Sequence, residues 1–225
     1  MSAGVGLEPA LSPLDGALRR AGAHMVERNG WMVAADFGSM LSELAVCRAA
    51  AGLADVSSIA KLEVRGSEFD VAAVHPSARP LRARRAVESG RAWWCPVSSR
   101  LLLVVGALGA NALVREEVAE RTAEYQVRVV DVTVDRVAVM LVGPTAREVL
   151  ARAGAGGQAE ALVRSASIAG IPTLVLHERG TRWLLVAPGA DALELWHALS
   201  EAGAPLGLAH VGADALQHLL AAGRS

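Results

Sequence analysis

Residues 52–66 read GLADVSSIAKLEVRG and hold the only lysine among the 22 basic residues of the chain. The stretch is not one continuous buried strand. Asp55, Ser57, Ser58 and Lys61 interrupt it, and apolar residues resume at Leu62 and Val64. An aspartate followed two residues later by serine favours an Asx turn, in which the carboxylate accepts from the backbone ahead of it. The expectation is two strand pieces, 53–56 and 59–65, separated by a polar turn. Arg65-Gly66 closes the second piece, and a helix near 67–74 follows.

Upstream, Ser12 and Pro13 have the chemistry of a helix start, with serine as N-cap and proline at the first helical position. The alternating stretch that follows folds back at Asn29-Gly30, a strong hairpin signal. Residues 39–51 space Leu41, Leu44, Ala45 and Arg48 as a helix, which Gly52 stops.

Downstream, 75–92 has two prolines, several arginines and little apolar periodicity, so it reads as an exposed connection. A strand over 100–106, a helix over 110–123 and two strands meeting near Asp135 come next. Pro144 opens a helix that ends at Gly154. Residues 154–158 form a break, dividing a first part, 1–155, from a second, 156–225, in one compact unit. The second part reads as a strand pair turning near Gly180, an amphipathic helix over 189–203 and a last helix over 210–222. Strands alternate with helices, yet the hairpins require mixed and antiparallel sheets. The class is α+β.

The chain has 225 residues, 52% hydrophobic and 20% charged, with a net charge of −1. That is the composition of a globular protein, with no basic field to gather nucleic acid. The longest apolar run, LLLVVGALGANALV, is shorter than the roughly 20 residues that cross a bilayer and is broken by glycines. The N-terminus lacks the basic start and apolar core of a secretory signal. Cys47 and Cys95 form no CxxC pair and read as buried reduced thiols of a cytoplasmic protein.

Local motifs for chemistry are sparse. The six histidines form no HxxxH or HExxH pair, so no metal site is expected. No GxSxG elbow is present, and Cys95 has no histidine base beside it in sequence. The glycines after 101–106 lack the spacing of a dinucleotide loop. Arg79, Arg82, Arg84 and Arg85 read first as a solvated loop. Trp93 and Trp94 next to them would favour a partner surface if exposed.

The order of these segments carries a resemblance. SPLDGALRRAGAHMVERNGWMV, then ELAVCRAAAGLADVSSIAKLEVRG, resembles the start of the glycine-cleavage T-protein (aminomethyltransferase) family. VDVTVDRVAVMLVGPTAREVLARAG, GIPTLVLHERGTRWLLVAPGADALELWHALSEAG and PLGLAHVGADAL are similar to later parts of that family, in the same order. The resemblance implies a folate-binding-like fold of mixed and antiparallel sheets with flanking helices, here lacking the family's C-terminal barrel. It implies that DVSSIAK lines a central cavity, with tetrahydrofolate as the candidate cofactor. Ser58, Ile59, Lys61, Asn111 and Leu184 would then line the cavity. Asp55 and Asp214 are the catalytic candidates, with Asp131 as a further polar suspect.

The departures are as informative. The family's aspartate-bearing Gly-Gly-Val-Ile-Asp-Asp hairpin is absent from GRAWWCPVSSRLLLVV, and its pterin-holding glutamate falls on Leu184. In the turn, Ser58 and Ile59 stand where the family often has histidine and methionine. Asp214 has lost its neighbouring arginine. This pattern is similar to the γ subunit of heterotetrameric sarcosine oxidase. The resemblance therefore implies an accessory, non-catalytic partner of a flavin-dependent amine oxidoreductase, or a homo-oligomer, in one-carbon and amine metabolism. The alternatives are a tetrahydrofolate-dependent aminomethyl or methyl transferase with a diverged site, and a pseudoenzyme with a filled cavity. An open cavity lined by Asp55, Ser58 and Lys61 would favour a ligand. A cavity plugged by Ile59 and Leu184, with Trp93 and Trp94 exposed, would favour a partner.

Overall fold

In the computed structural model, which describes residues 8–77, 86–155, 163–178 and 180–222, the chain opens with a short helix, α1 (Asp15–Arg20). Ser12 is not its cap: Leu14 holds that position, and the Ser12 hydroxyl accepts from the Leu14 amide instead. Strands β1 (His24–Arg28) and β2 (Trp31–Asp36) form a separate hairpin. Its turn residues Asn29 and Gly30 have φ of 51° and 76°, the left-handed pair that a two-residue turn needs. Helix α2 (Met40–Ala49) is capped by Ser39.

The opening stretch then divides as expected, but its two halves join different sheets. Strand β3 (Gly52–Asp55) lies in a six-stranded sheet and β4 (Lys61–Gly66) in a five-stranded one. Helix α3 (Glu68–Val74) follows. Its cap is reciprocal, the Ser67 hydroxyl accepting from the Asp70 amide and donating to the Asp70 carboxylate.

The connection expected over 75–92 is shorter than that. Arg79, Arg82, Arg84 and Arg85 lie outside the described residues, but β5 (Val87–Ser89) and β6 (Ala92–Ser98) form a hairpin. Its turn depends on Gly90, at φ 60°, where a Cβ would stand 2.3 Å from a Glu117 carboxylate oxygen. A hairpin therefore takes up the end of the stretch expected to be an exposed connection, without the aspartates of the family's hairpin. Trp93 and Trp94 are not exposed either. Alternation along β6 sends them to opposite faces, and both are buried. The two tryptophans therefore supply no exposed partner surface.

Strand β7 (Leu101–Gly106), helix α4 (Asn111–Thr122) and strand β8 (Val127–Asp131) complete the five-stranded sheet, in the order β5-β6-β7-β4-β8. Strand β9 (Arg136–Val142) returns to the larger sheet, and helix α5 (Ala146–Leu150) follows. Beyond the break come three strands rather than two: β10 (Val163–Ile168), β11 (Ile171–His177) and β12 (Arg182–Pro188). The overlooked turn is Ala169-Gly170, where alanine itself adopts φ 51°. Helix α6 (Ala192–Gly203), the two-residue β13 (Ala209–His210) and helix α7 (Ala213–Ala222) end the described chain. The six-stranded order is β10-β11-β12-β9-β3-β13, so this sheet takes strands from both sides of residue 155. Among the described residues no sheet closes into a barrel, and no helix is long and apolar enough to cross a membrane.

Side-chain alternation builds three cores. On β9, Val137, Val139 and Leu141 face α1, α5 and α6, whereas Ala138, Met140 and Val142 face the other sheet. On β7, Leu103 and Val105 face the gap between sheets, while Leu102 and Val104 pack with α3 and α4. The result is four layers: helices, six-stranded sheet, five-stranded sheet, helices. Burial on both faces explains the near-continuous apolar reading of β7, β9 and β12.

Candidate functional site

Two short segments carry the backbone from one sheet to the other, 56–60 and 132–135, and they are tied side by side. The Lys61 amide donates to the Thr133 hydroxyl at 3.0 Å, and the Val132 amide donates to the Lys61 carbonyl at 2.9 Å. Ser57 bridges to β9, its hydroxyl donating to the Ala138 carbonyl at 3.3 Å and accepting from the Ala138 amide at 3.1 Å. This crossing is where most of the sequence-derived candidates sit.

Three of the candidates are already engaged. Asp55 accepts from the Ser57 amide at 3.0 Å and hydroxyl at 2.6 Å, an Asx turn, and it also pairs with Ser12. Burial pushes its carboxyl above the usual carboxylate range, against the pull of those serines and of Lys61. Lys61 is wholly buried, and its Nζ donates to the Ser57 carbonyl at 2.6 Å and the Ile59 carbonyl at 3.0 Å. Desolvation lowers its pKa to about 8, partly offset by Asp55 and Asp131. Asn111 clips the same turn with both ends of its amide: Oδ1 accepts from the Ala60 amide at 2.8 Å, and Nδ2 donates to the Ser58 carbonyl at 2.7 Å.

The remaining candidates are scattered. Asp131 pairs with Arg115 at 2.8 Å and accepts from the Thr133 amide. Burial would raise its pKa, but the bonds from Thr133 and Arg115 win and hold it low. Asp214, at the start of α7, pairs with Arg28 at 2.5 Å. Ile59 and Leu184 are buried in the core between the sheets. Ser58, Ile59 and Asn111 line only a recess of about 60 Å³, room for a water or two.

A second buried carboxylate faces the same interlayer. Glu63 is clamped by Arg65 and Arg136; burial alone would raise its pKa, and the two guanidiniums reverse the sign. Among the described residues no cluster of three His, Cys, Asp or Glu could hold a metal.

The larger opening lies elsewhere. A half-open cleft of about 480 Å³ enters between the two sheets, bounded by the β5–β6 turn on one side and the β11–β12 hairpin on the other. Trp93, Met140, Leu108 and Leu220 supply apolar walls. Among the described residues, Glu88, Arg91, Glu178 and Arg182 supply the charges. Met140 pairs with Leu184 across β9 and β12, so the cleft adjoins the plugged core. Arg182 Nε lies 3.8 Å from a Glu178 oxygen, close enough for an ion pair, yet it is buried with no hydrogen-bond partner.

None of the catalytic or cavity-lining candidates read from the sequence lines this cleft, although Trp93 does. Sequence reasoning missed its four charged residues because they stand at strand ends beside turns, where exposed charge is ordinary. The available signal was that two hairpin turns, at Gly90 and Gly180, each carry an acid and an arginine.

No protein-family model matches the chain. It is similar to aminomethyltransferases from Symbiobacterium thermophilum and Streptomyces avermitilis, 29% identical to each over 91% of its length. Those alignments cover 61% and 60% of the two relatives, so the chain spans about three fifths of their length. Among solved structures it resembles the glycine cleavage system aminomethyltransferase T of Bartonella henselae, with a TM-score of 0.69 at 21% identity. That superposition covers 92% of this chain and 60% of the other. It also resembles a chain of the heterotetrameric sarcosine oxidase of Corynebacterium sp. U-96, with a TM-score of 0.62 at 16% identity. There the coverage is 88% of this chain and 96% of the matched one.

Proposed function

We propose, from the premise that this chain has the T-protein fold, that it is an accessory, non-catalytic subunit of an amine-oxidising enzyme. The observation that carries the proposal is the state of the crossing between the sheets. Three polar side chains there are consumed by the fold: Asp55 by Ser57 and Ser12, Asn111 by the turn, Lys61 by two carbonyls. Where the resemblance would put the catalytic aspartates, the β5–β6 hairpin continues into the buried Trp93 and Trp94. Where it would put the pterin-holding carboxylate stands Leu184, 1% exposed. A pterin edge pressed against that leucine would leave its donors unpaired, at about 1–3 kcal/mol each. The sarcosine oxidase chain supports the subunit role, since the likeness runs through nearly all of it and it works within a heterotetramer.

A tetrahydrofolate-dependent transfer reaction is the second reading. The cleft favours it, because Glu88 and Glu178 offer carboxylates beside an apolar wall. Calorimetric titration with tetrahydrofolate and 5-formyltetrahydrofolate separates the two. The accessory reading expects no saturable heat up to about millimolar ligand, and micromolar binding, about −8 kcal/mol, would overturn it. Natively purified tagged chain should also carry a flavoprotein, recognised by flavin absorbance and identified by mass spectrometry.

A further inference from the structure

Three segments distant in sequence meet at the end of the six-stranded sheet where Pro188 pairs with Arg136, and we infer that the surface they form docks a basic, apolar segment of a partner protein. The inference goes beyond the accessory reading, which requires a partner but names no surface.

The junction is Gly189, just past β12. Its amide donates to the Asp135 carbonyl at 2.8 Å. A Cβ there would stand 2.8 Å from that oxygen and 3.4 Å from Cγ of Pro13, so glycine lets the three segments close. Each segment brings one large apolar residue to solvent: Leu11 at 54% exposure, Val134 at 56% and Leu193 at 42%. Leu11 shortly precedes Pro13, Val134 adjoins Asp135, and Leu193 lies on the first turn of α6. Exposed apolar residues scattered singly are ordinary, but three gathered around one junction make a patch. Val134 also sits in a turn, where polar residues are the usual choice.

Charge sets the partner. Asp135, Asp191 and Glu194 stand on the same segments, and none makes an ion pair or side-chain hydrogen bond among the described residues. Asp191 holds the N-cap position of α6 yet its side chain caps no amide. The nearby arginines are committed: Arg19 to Asp15, Arg136 to Glu63, Arg115 to Asp131. Arg20, at the far end of α1, offsets one of the three carboxylates at most. Residues 1–7, outside the described residues, contain no charged side chain. A nucleic acid or an anionic lipid surface would meet like charge. A second copy docked about a two-fold axis would set the same carboxylates against themselves. A segment with Lys or Arg beside apolar residues meets both features, covering Leu11, Val134 and Leu193 while its cations reach the acidic rim.

The test is a calorimetric titration of the full chain with an amphipathic peptide of Leu and Lys at helical spacing, beside its analogue with Glu for every Lys. The Lys peptide should saturate and the Glu analogue should not. Val134→Asp and Leu193→Asp should each weaken the Lys peptide at least about tenfold. Asp135→Asn combined with Glu194→Gln should weaken it too and flatten its salt dependence. Phe69→Asp, at a residue 79% exposed on α3, should change nothing. If an apolar variant loses its circular dichroism spectrum, the carboxylate variant decides in its place. Equal weakening by Phe69→Asp, equal binding of the two peptides, or no saturation below about 1 mM overturns the proposal. So does a concentration-dependent dimer in sedimentation that Val134→Asp abolishes, which would assign the surface to a second copy. Flavin absorbance of the natively purified chain reads the accessory role separately, so either proposal can fail while the other stands.

Discussion

At the scale of single residues, Lys61 is the most expensive choice in the chain. An ammonium moved from water into a core loses solvation that two carbonyls replace only in part. Its pKa falls from an ordinary 10.5 to about 8 in the fold. Between those values the unfolded chain holds a proton that the folded chain has released, so raising the pH through this window stabilises the fold. Below pH 8 the whole penalty applies, about 3 kcal/mol. The buried thiols act oppositely: Cys47 rises to about 11, so stability falls once unfolded thiols ionise. Urea titrations of wild type and Lys61→Met at pH 7 and 9 isolate the lysine. Wild type should gain about 1 kcal/mol relative to the variant between the two, and parallel curves would place the Lys61 charge elsewhere. The oddity of a lone lysine in a strand was legible in the sequence. Its direction was not, because that depends on which carbonyls the 56–60 turn presents. Trp93 and Trp94 misled for a related reason: adjacent tryptophans look exposed until alternation sends each to its own core.

At the scale of elements, turn chemistry decided what could be read. Asn29-Gly30 announced its hairpin because both residues accept positive φ readily. The β10–β11 turn did not, because it uses alanine at φ 51° in the corresponding place. A left-handed alanine costs about 1–2 kcal/mol relative to a right-handed one, and the residue is exposed and free of packing demands. Ala169→Gly should therefore raise the urea midpoint, worth about 0.5–1 kcal/mol after glycine's extra unfolded-state entropy is set against the relief. An unchanged or lower midpoint would mean that the β10–β11 register relies on the methyl group. Gly90 marks the other missed hairpin. A single glycine among arginines is weak punctuation, and the φ of 60° that makes it necessary is set by the pairing of β5 with β6.

At the scale of the whole molecule, periodicity alone could give α+β but not the pairing of two sheets. The layers follow from the short crossings at 56–60 and 132–135, and nothing local says that a five-residue turn changes sheet. The order of motifs along the chain carried that information through the family resemblance. One consequence concerns the break after residue 155. The segment beyond it supplies β10, β11 and β12, and β12 pairs with β9 over seven residues, Arg182 to Pro188 against Val142 to Arg136. Removing it would expose both the edge and the faces of a strand buried throughout. The two parts should then unfold together. The five tryptophans report on this directly: Trp183 on β12 and Trp196 on α6 share one core, Trp93 sits between the sheets, Trp94 under α3 and α4, and Trp31 on the β1–β2 hairpin. Urea unfolding followed by tryptophan fluorescence and by far-ultraviolet circular dichroism should give one transition with coincident midpoints. Two separated transitions, with Trp183 and Trp196 released apart from Trp93 and Trp94, would mean that the six-stranded sheet is not the cooperative unit and that the chain divides at the break.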